Sequence, residues 1–414
     1  MNKYILIVKY KVSKYIFKYY INPMSYFLLP NIIDTISPEN LEIKISNNDI
    51  IISKSLAKYL NSMKMQINNY INDWDLYKKY TNTYEYIHTT IPFSKLSVCK
   101  LKPLSRSFYK LIEIFNIFNI EFSNEPITSF HLAEGPGGFI EALINYRETN
   151  NKNIFLKDTY YGMTLIDDKD ENIPGWKKSR HFLQKYPNVK IISGKDNTGN
   201  LLNVDNLWFC YEKYKNSIDL ITADGGFDFS INFNQQEHLS INLIFAQITY
   251  AIAMQKKNGI FVLKIFDIFT HVTIDLLYLL SSLYEKCYIV KPYTSRNANA
   301  EKYIVCKRFK LNNTYELLTK LSQFFPIINS EVSINRFLNI NIPYLYINKL
   351  EDINAILGQQ QLENILSTLH LLDNNKPDKL DLIKKNNIQK CIQWCIKNKL
   401  PYHKNINQLN IFIN

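Results

Sequence analysis

The sequence predicts an α/β fold: a mostly parallel sheet covered on both faces by helices, with an antiparallel hairpin at one edge. Two observations predict it. Between about residues 101 and 310, short apolar runs alternate with helical stretches, as strands joined by crossover helices do. The last two runs, KCYIVKPY and EKYIVCKRF, are linked only by the loop PYTSRNANA, too short for a parallel crossover, so they pair as a hairpin.

In chain order, residues 1–100 mix short apolar runs (ILIV, FLLP, DIIIS) with helical stretches around 55–82 and form an N-terminal accessory region without recognisable chemistry. ITSFHLA is the first strand of the alternating region, and the turn in HLAEGPGGFIEALI opens a helix over 137–148. TYYGMTLI, VKIISG and IDLITAD follow as strands, then a helix over 237–257, the strand GIFVLKIF, a helix over 271–284, and the hairpin. Residues 311–414 are mostly helical (TYELLTKLSQFF, LEDINAILGQQQLENILSTLHLL, NIQKCIQWCIKN), punctuated by Pro326, Pro343, Pro377 and Pro401. This reads as an appended C-terminal helical region. No internal repeat is present.

Composition narrows the function classes. A hydrophobic fraction of 46% with 21% charged residues suits a packed globular chain. The net charge of +12 suits a polyanion such as RNA, although A/T-rich codons would also enrich Lys, Asn, Ile and Tyr. Cys99, Cys210, Cys287, Cys306, Cys391 and Cys395 are scattered, as reduced thiols are. Cys391 and Cys395 lie one helical turn apart with His403 beyond, but no second pair has metal spacing, so no metal is expected. The most apolar stretch, INLIFAQITYAIAM, is too short to span a bilayer, and lysines interrupt every signal-peptide core near the N-terminus. A cytoplasmic protein without a membrane partner is expected.

The first strand-to-helix loop of an open α/β sheet is a natural ligand cradle. Here it is Glu134-Gly135-Pro136-Gly137-Gly138-Phe139. The dinucleotide fingerprint G-x-G-x-x-G is not met. An acid before the loop sits badly beside a pyrophosphate and well beside a sulfonium or the amino group of a methionine moiety. S-adenosyl-L-methionine fits better.

Four further residues carry chemistry. Asp224 ends the strand in IDLITADGG, Lys264 interrupts the apolar strand GIFVLKIF, Glu301 starts the last strand, and Lys110 sits on the helix of SRSFYKLIEIF. Each also has a plain reading: Lys264 as a strand-end residue reaching solvent, Asp224 as a turn cap, Glu301 as an edge-strand charge, Lys110 on a solvated face.

Taken in order, SRSFYKL, AEGPGGFIE, ITADGG, FVLKIF and SRNANAEKYIVC resemble the FtsJ-type (RrmJ-type) ribose 2′-O-methyltransferases over about 101–310. GMTLI and GKDNTGNL resemble the Adrift-type branch that methylates the capped 5′ end of mRNA, which includes relatives encoded by large cytoplasmic DNA viruses. The resemblance implies a Rossmann-like class I methyltransferase fold with a seven-stranded sheet, S-adenosyl-L-methionine at residues 134–139, and a Lys-Asp-Lys-Glu tetrad on Lys110, Asp224, Lys264 and Glu301. Asp224 would also border the cofactor. It implies capped mRNA as the RNA partner, with the first or second transcribed nucleotide as target and capping or transcription machinery as a further partner; for a viral member the compartment would be the host cytoplasm. Asp196 in GKDNTGNL would meet the adenine or ribose of the cofactor, or serve only as an Asx-turn residue; whether Asp167 or Asp168 takes the ribose hydroxyls stays open.

The chemistry agrees with the tetrad. A ribose hydroxyl must lose its proton as it attacks, and a lysine about 4 Å away stabilises the alkoxide by roughly 4 kcal/mol at an effective dielectric near 20. Methylation of ribosomal RNA, or a non-catalytic RNA-binding role on the same fold, are the competing readings. Trp74, Tyr77, Trp176, Lys177, Lys178 and Arg106 are candidates for a cap pocket, but each is equally a packing or surface residue and none is assigned.

Overall fold

A computed structural model describes residues 26–46, 51–122, 124–150, 155–167, 173, 175–226, 235–330, 332–374, 376–404 and 406. The chain begins with β1 (Tyr26–Leu28) and β2 (Leu41–Ile45), then α1 (Lys54–Gln66), α2 (Ile71–Thr81) and α3 (Ser107–Ile117). The alternating region follows as β3 (Thr128–Leu132), α4 (Gly138–Asn150), β4 (Thr159–Met163), α5 (Arg180–Lys185), β5 (Val189–Ile191), α6 (Val204–Tyr214) and β6 (Ile218–Ala223). It continues through α7 (Gln236–Met254), β7 (Gln255–Ile265), α8 (His271–Leu283), β8 (Tyr284–Val290) and β9 (Lys302–Phe309). Last come α9 (Tyr315–Ser322), α10 (Phe325–Ile328), β10 (Ile334–Leu338), α11 (Tyr344–Asp373) and α12 (Pro377–Lys397).

The main sheet has the order β1-β8-β9-β7-β6-β3-β4-β5. β7, β6, β3, β4 and β5 run parallel, and β3 and β6 are buried along nearly their whole length because helices cover both faces. From β3 the chain runs outward through β4 to β5, then returns to β6 on the other side of β3. Strand order therefore reverses between β3 and β6, and a cleft opens beyond their carboxyl ends.

The expected hairpin forms, with β9 inserted between β7 and β8, antiparallel to both. The sheet has eight strands rather than the seven expected, because β1 pairs antiparallel with β8, Tyr26 opposite Val290. An uncovered β8 would expose a row of unpaired backbone groups, which β1 removes. Apolar packing fills both faces. Ile244, Phe245, Leu276 and Leu280 from α7 and α8 lie on one side, and Phe108, Ile112, Phe139 and Leu143 from α3 and α4 on the other. Each such side chain contributes about 1.5–3 kcal/mol through burial.

The C-terminal region is not purely helical. β10 pairs antiparallel with β2, with Leu338 opposite Leu41, so the N-terminal and C-terminal regions meet in a second small sheet. Arg336 in β10 forms an ion pair with the buried Asp275 of α8 at 2.8 Å, and Asp275 also accepts from the Phe337 and Leu338 amides. These partners explain a strand whose centre reads Asn-Arg. α11 lies against α1 and α2, and its Asn354 and Gln361 amides donate to Ile268 and Ala298 carbonyls at 2.6 and 2.8 Å. All six cysteines are free and buried. Among the described residues, no helix is long and apolar enough to cross a membrane, and no group of three potential ligands is placed to hold a metal ion.

Candidate active site

The glycine loop lies at the strand-order reversal. Its start is fixed to the end of β4, where the Glu134 amide donates to Met163 O at 3.2 Å, and Gly137 N closes back on Glu134 O at 2.7 Å. The Gly135–Pro136 peptide is cis, and Gly137 has φ +111°, a conformation that favours glycine. Gly138 is needed for proximity: a Cβ there would collide with the hydroxyls of Ser105 and Ser107, which lead into α3. The loop that opens α4 is thus pressed against the helix that carries Lys110.

Glu134 is 4% exposed, and its Oε1 accepts from the Phe139 and Ile140 amides at 2.7 and 3.0 Å, capping α4. No basic side chain pairs with it among the described residues. Burial pushes its carboxyl up to about 8; nearby Asp224 adds to the rise, and the two amides oppose it. A buried acid with no cation beside it suits a cationic ligand.

The tetrad converges. Lys110 Nζ, on α3, lies 2.7 and 2.8 Å from the two Glu301 oxygens. Lys264 Nζ, on β7, donates to Asp224 O at 2.6 Å and lies 3.4 Å from Asp224 Oδ1. Lys110, Lys264 and Glu301 are not solvent-facing: they are largely buried and, with Asp224, paired within the cluster. Burial drives the Lys110 ammonium below its usual range while Glu301 opposes that shift. The Glu301 carboxyl, despite burial, is held well below the usual range by Lys110 and Lys264.

Two residues of this cluster escaped the sequence reading. Tyr303 OH donates to Asp224 Oδ1 at 2.7 Å, and its ring lies 6.0 Å from Lys110 Nζ. Tyr303 stands opposite Lys264 in the β7–β9 register and two residues beyond Glu301. Glu301 immediately precedes β9, and its i, i+2 spacing to Tyr303 along extended chain was a usable signal. Lys291 Nζ donates to the Asn299 and Glu301 carbonyls at 2.7 and 2.8 Å, pinning the loop before β9. Nothing local in the sequence announces that contact.

Other candidates take simpler places. Asp196 forms an Asx-type turn: Oδ1 accepts from the Thr198 amide, the Thr198 hydroxyl and Asn206, and Oδ2 from Asn203 at 2.6 Å. Desolvation raises its carboxyl, but these donors together outweigh it and hold the carboxyl down at about 2. Its loop still packs on the one after β4, since Ile166 N donates to Thr198 O at 2.8 Å. Asp167 is exposed, and Asp168 lies outside the described residues. Trp74, on α2, is buried against α1 and α11. Trp176 packs over Gly162, where any Cβ would strike its ring. Both are packing residues. Cys391 Sγ donates to Thr83 O.

The model of one family, described as FtsJ-like methyltransferase, matches residues 103–309, half of the chain, with all four tetrad positions inside the match. The chain belongs to the FtsJ-like methyltransferase family. A cap-specific mRNA (nucleoside-2′-O-)-methyltransferase 2 from Drosophila melanogaster is 24% identical over 333 residues, covering 78% of this chain and 46% of the relative. Its namesake from Danio rerio is 28% identical, covering 77% and 43%. A cap-specific mRNA (nucleoside-2′-O-)-methyltransferase 1 from Dictyostelium discoideum is 31% identical, covering 50% and 28%. This FtsJ-like chain thus spans a little under half the length of the first two relatives. A crystal structure of a ribosomal RNA methyltransferase from Plasmodium falciparum is similar at 24% identity and a TM-score of 0.35, covering 50% of this chain and 98% of that one.

Proposed function

We propose that this FtsJ-like protein transfers a methyl group from S-adenosyl-L-methionine to a ribose 2′-hydroxyl at the capped 5′ end of mRNA, on the first or second transcribed nucleotide. The observation that carries the reading is the convergence of Lys110, Asp224, Lys264 and Glu301 beside a glycine loop at the strand-order reversal. The relatives named cap-specific mRNA methyltransferases support the choice of capped mRNA.

The residues present fit the cofactor. The buried Glu134, lacking a basic partner, suits its cationic end, and the loops around Gly135–Gly138 and Asp196 would hold the rest. When bound, S-adenosyl-L-methionine supplies a sulfonium methyl open to in-line attack by an oxygen nucleophile.

The protein's own groups then act on the hydroxyl. Lys264 has three N–H donors, two of them directed at Asp224 among the described residues. The third has no partner among the described residues; it would meet the ribose oxygen and stabilise the charge that develops as the hydroxyl proton passes to solvent. Asp224, itself fixed by Tyr303, sets the position of that ammonium. Glu301 holds Lys110 as a second cation behind the reacting oxygen. A fixed geometry of this kind contributes by orientation as well as by charge.

The test is labelled-methyl transfer to matched capped and uncapped RNAs. Transfer that depends on the cap supports the assignment. Equal labelling of both RNAs removes the cap from it, and cofactor binding without transfer to any RNA favours a non-catalytic RNA-binding subunit.

A further inference from the structure

Arg106 stands immediately before α3, four residues from Lys110, and takes no part in the tetrad. Its Nη2 donates to Thr294 O at 3.2 Å, while its Nε is sealed from solvent without an acceptor. It forms no ion pair with any described residue. The two carboxylates that could neutralise it are already committed: Glu85 is held by a fork from Arg296 at 2.6 and 3.0 Å, and Glu301 by Lys110.

The charge around it does not balance. Among the described residues, Arg106, Lys110, Lys264, Lys291 and Arg296 face Glu85, Asp224 and Glu301; two further acids that act on Lys291 and Arg296, Asp267 and Asp75, are themselves held by Lys64 and Lys302 and by Lys78. A guanidinium does not shed its proton to relieve this, so the site is left with a positive excess at a half-buried position. A neutral ligand would leave that excess in place. A phosphodiester would complete it, because its two free oxygens match the guanidinium fork and carry one negative charge.

We propose that Arg106 binds the phosphodiester of the RNA strand adjacent to the ribose being methylated, positioning that ribose against Lys264. The inference rests on reading the site as an RNA ribose methyltransferase. It adds the element that fixes the strand.

Neutral methylphosphonate linkages, placed one at a time near the 5′ end of a short capped RNA, test it by equilibrium binding to the full chain. One linkage beside the acceptor ribose is expected to weaken wild-type binding about tenfold or more, as loss of a charge-assisted contact does. The same linkage should cause no further loss in Arg106→Gln. That variant should also bind intact RNA with a log K versus log salt slope shallower by about 0.7, while Arg106→Lys keeps most of the slope. If Arg106→Gln fails to fold, judged by melting and cofactor binding, the wild-type scan together with Arg106→Lys decides. A scan with no sensitive linkage, or equal losses in wild type and variant, overturns the role of Arg106 and leaves the transferase reading standing. Failure of the wild type to bind or methylate any RNA overturns both.

Discussion

Lys264 and Lys110 are both buried cations near one oxygen site, yet they answer to different partners. Lys110 is held by a full carboxylate, whereas Lys264 rests on a backbone carbonyl and a more distant carboxylate oxygen, with a donor to spare. Replacing Lys264 with Met should therefore lower single-turnover transfer by about 10²–10³ or more, measured on the folded variant at saturating cofactor. Glu134 makes a second prediction. With its carboxyl at about 8, the unliganded site is protonated at neutral pH, and a cationic ligand prefers the ionised form. Binding below pH 8 must release a proton, so affinity for S-adenosyl-L-methionine should rise as pH increases through about 8 and level off above it. Isothermal titration across that range checks the trend, which Glu134→Gln should flatten. Asp224, Lys264 and Glu301 stood out as charged residues at a strand end or within an apolar run, Lys110 only as a helix residue, and the grouping of the four came from the family resemblance. Asp196 was legible as an Asx-turn residue, which its Thr198 partners bear out, but its further donors Asn203 and Asn206 come from the following turn and helix and left no local mark.

The elements show why some strands were plain and others hidden. β3, β6 and β7 are apolar runs flanked by turn signals, and buried parallel strands have no other way to appear. β1 has three residues, too few for a period to register. β10 places Asn335 and Arg336 at its centre, and only a distant partner, Asp275, makes that tolerable. The helix expected over 237–257 stops at Met254, where Gln255 turns inward to donate to Ile218 O and opens β7. Loop packing at the carboxyl ends is equally specific. Gly199 has φ +66°, and a Cβ on it would collide with the backbone carbonyl of Thr164. Gly199→Ala should cost about 2–4 kcal/mol, combining left-handed strain with overpacking against backbone, and chemical denaturation will show it as a lowered midpoint.

Across the whole molecule, the flanking regions are parts of one structure rather than attachments to a finished domain. Boundaries at 100 and 311 follow the change of pattern in the sequence, but β1 completes the main sheet, β2 and β10 pair across the chain, and Arg296 beside the tetrad is gripped by Glu85 of the N-terminal region. Contacts between residues 211 apart, like that ion pair, leave no mark in local sequence. The Arg296 fork holds the Glu85 carboxyl down at about 2 against the cost of burial. Its folded value is therefore depressed, so the stability it gives is complete above the ordinary glutamate range and fades as pH falls toward 2. Glu85→Gln should lose about 3 kcal/mol at neutral pH and show a flatter loss of stability on acidification, read by urea melts at several pH values. If this constellation methylates a ribose oxygen near the cap, one substitution in the RNA removes the acceptor. Capped RNAs lacking the 2′-hydroxyl at only the first or only the second transcribed nucleotide are incubated with the protein and labelled S-adenosyl-L-methionine. Loss of label with one of the two, and full labelling of the other, is the predicted result; undiminished labelling of both would contradict it.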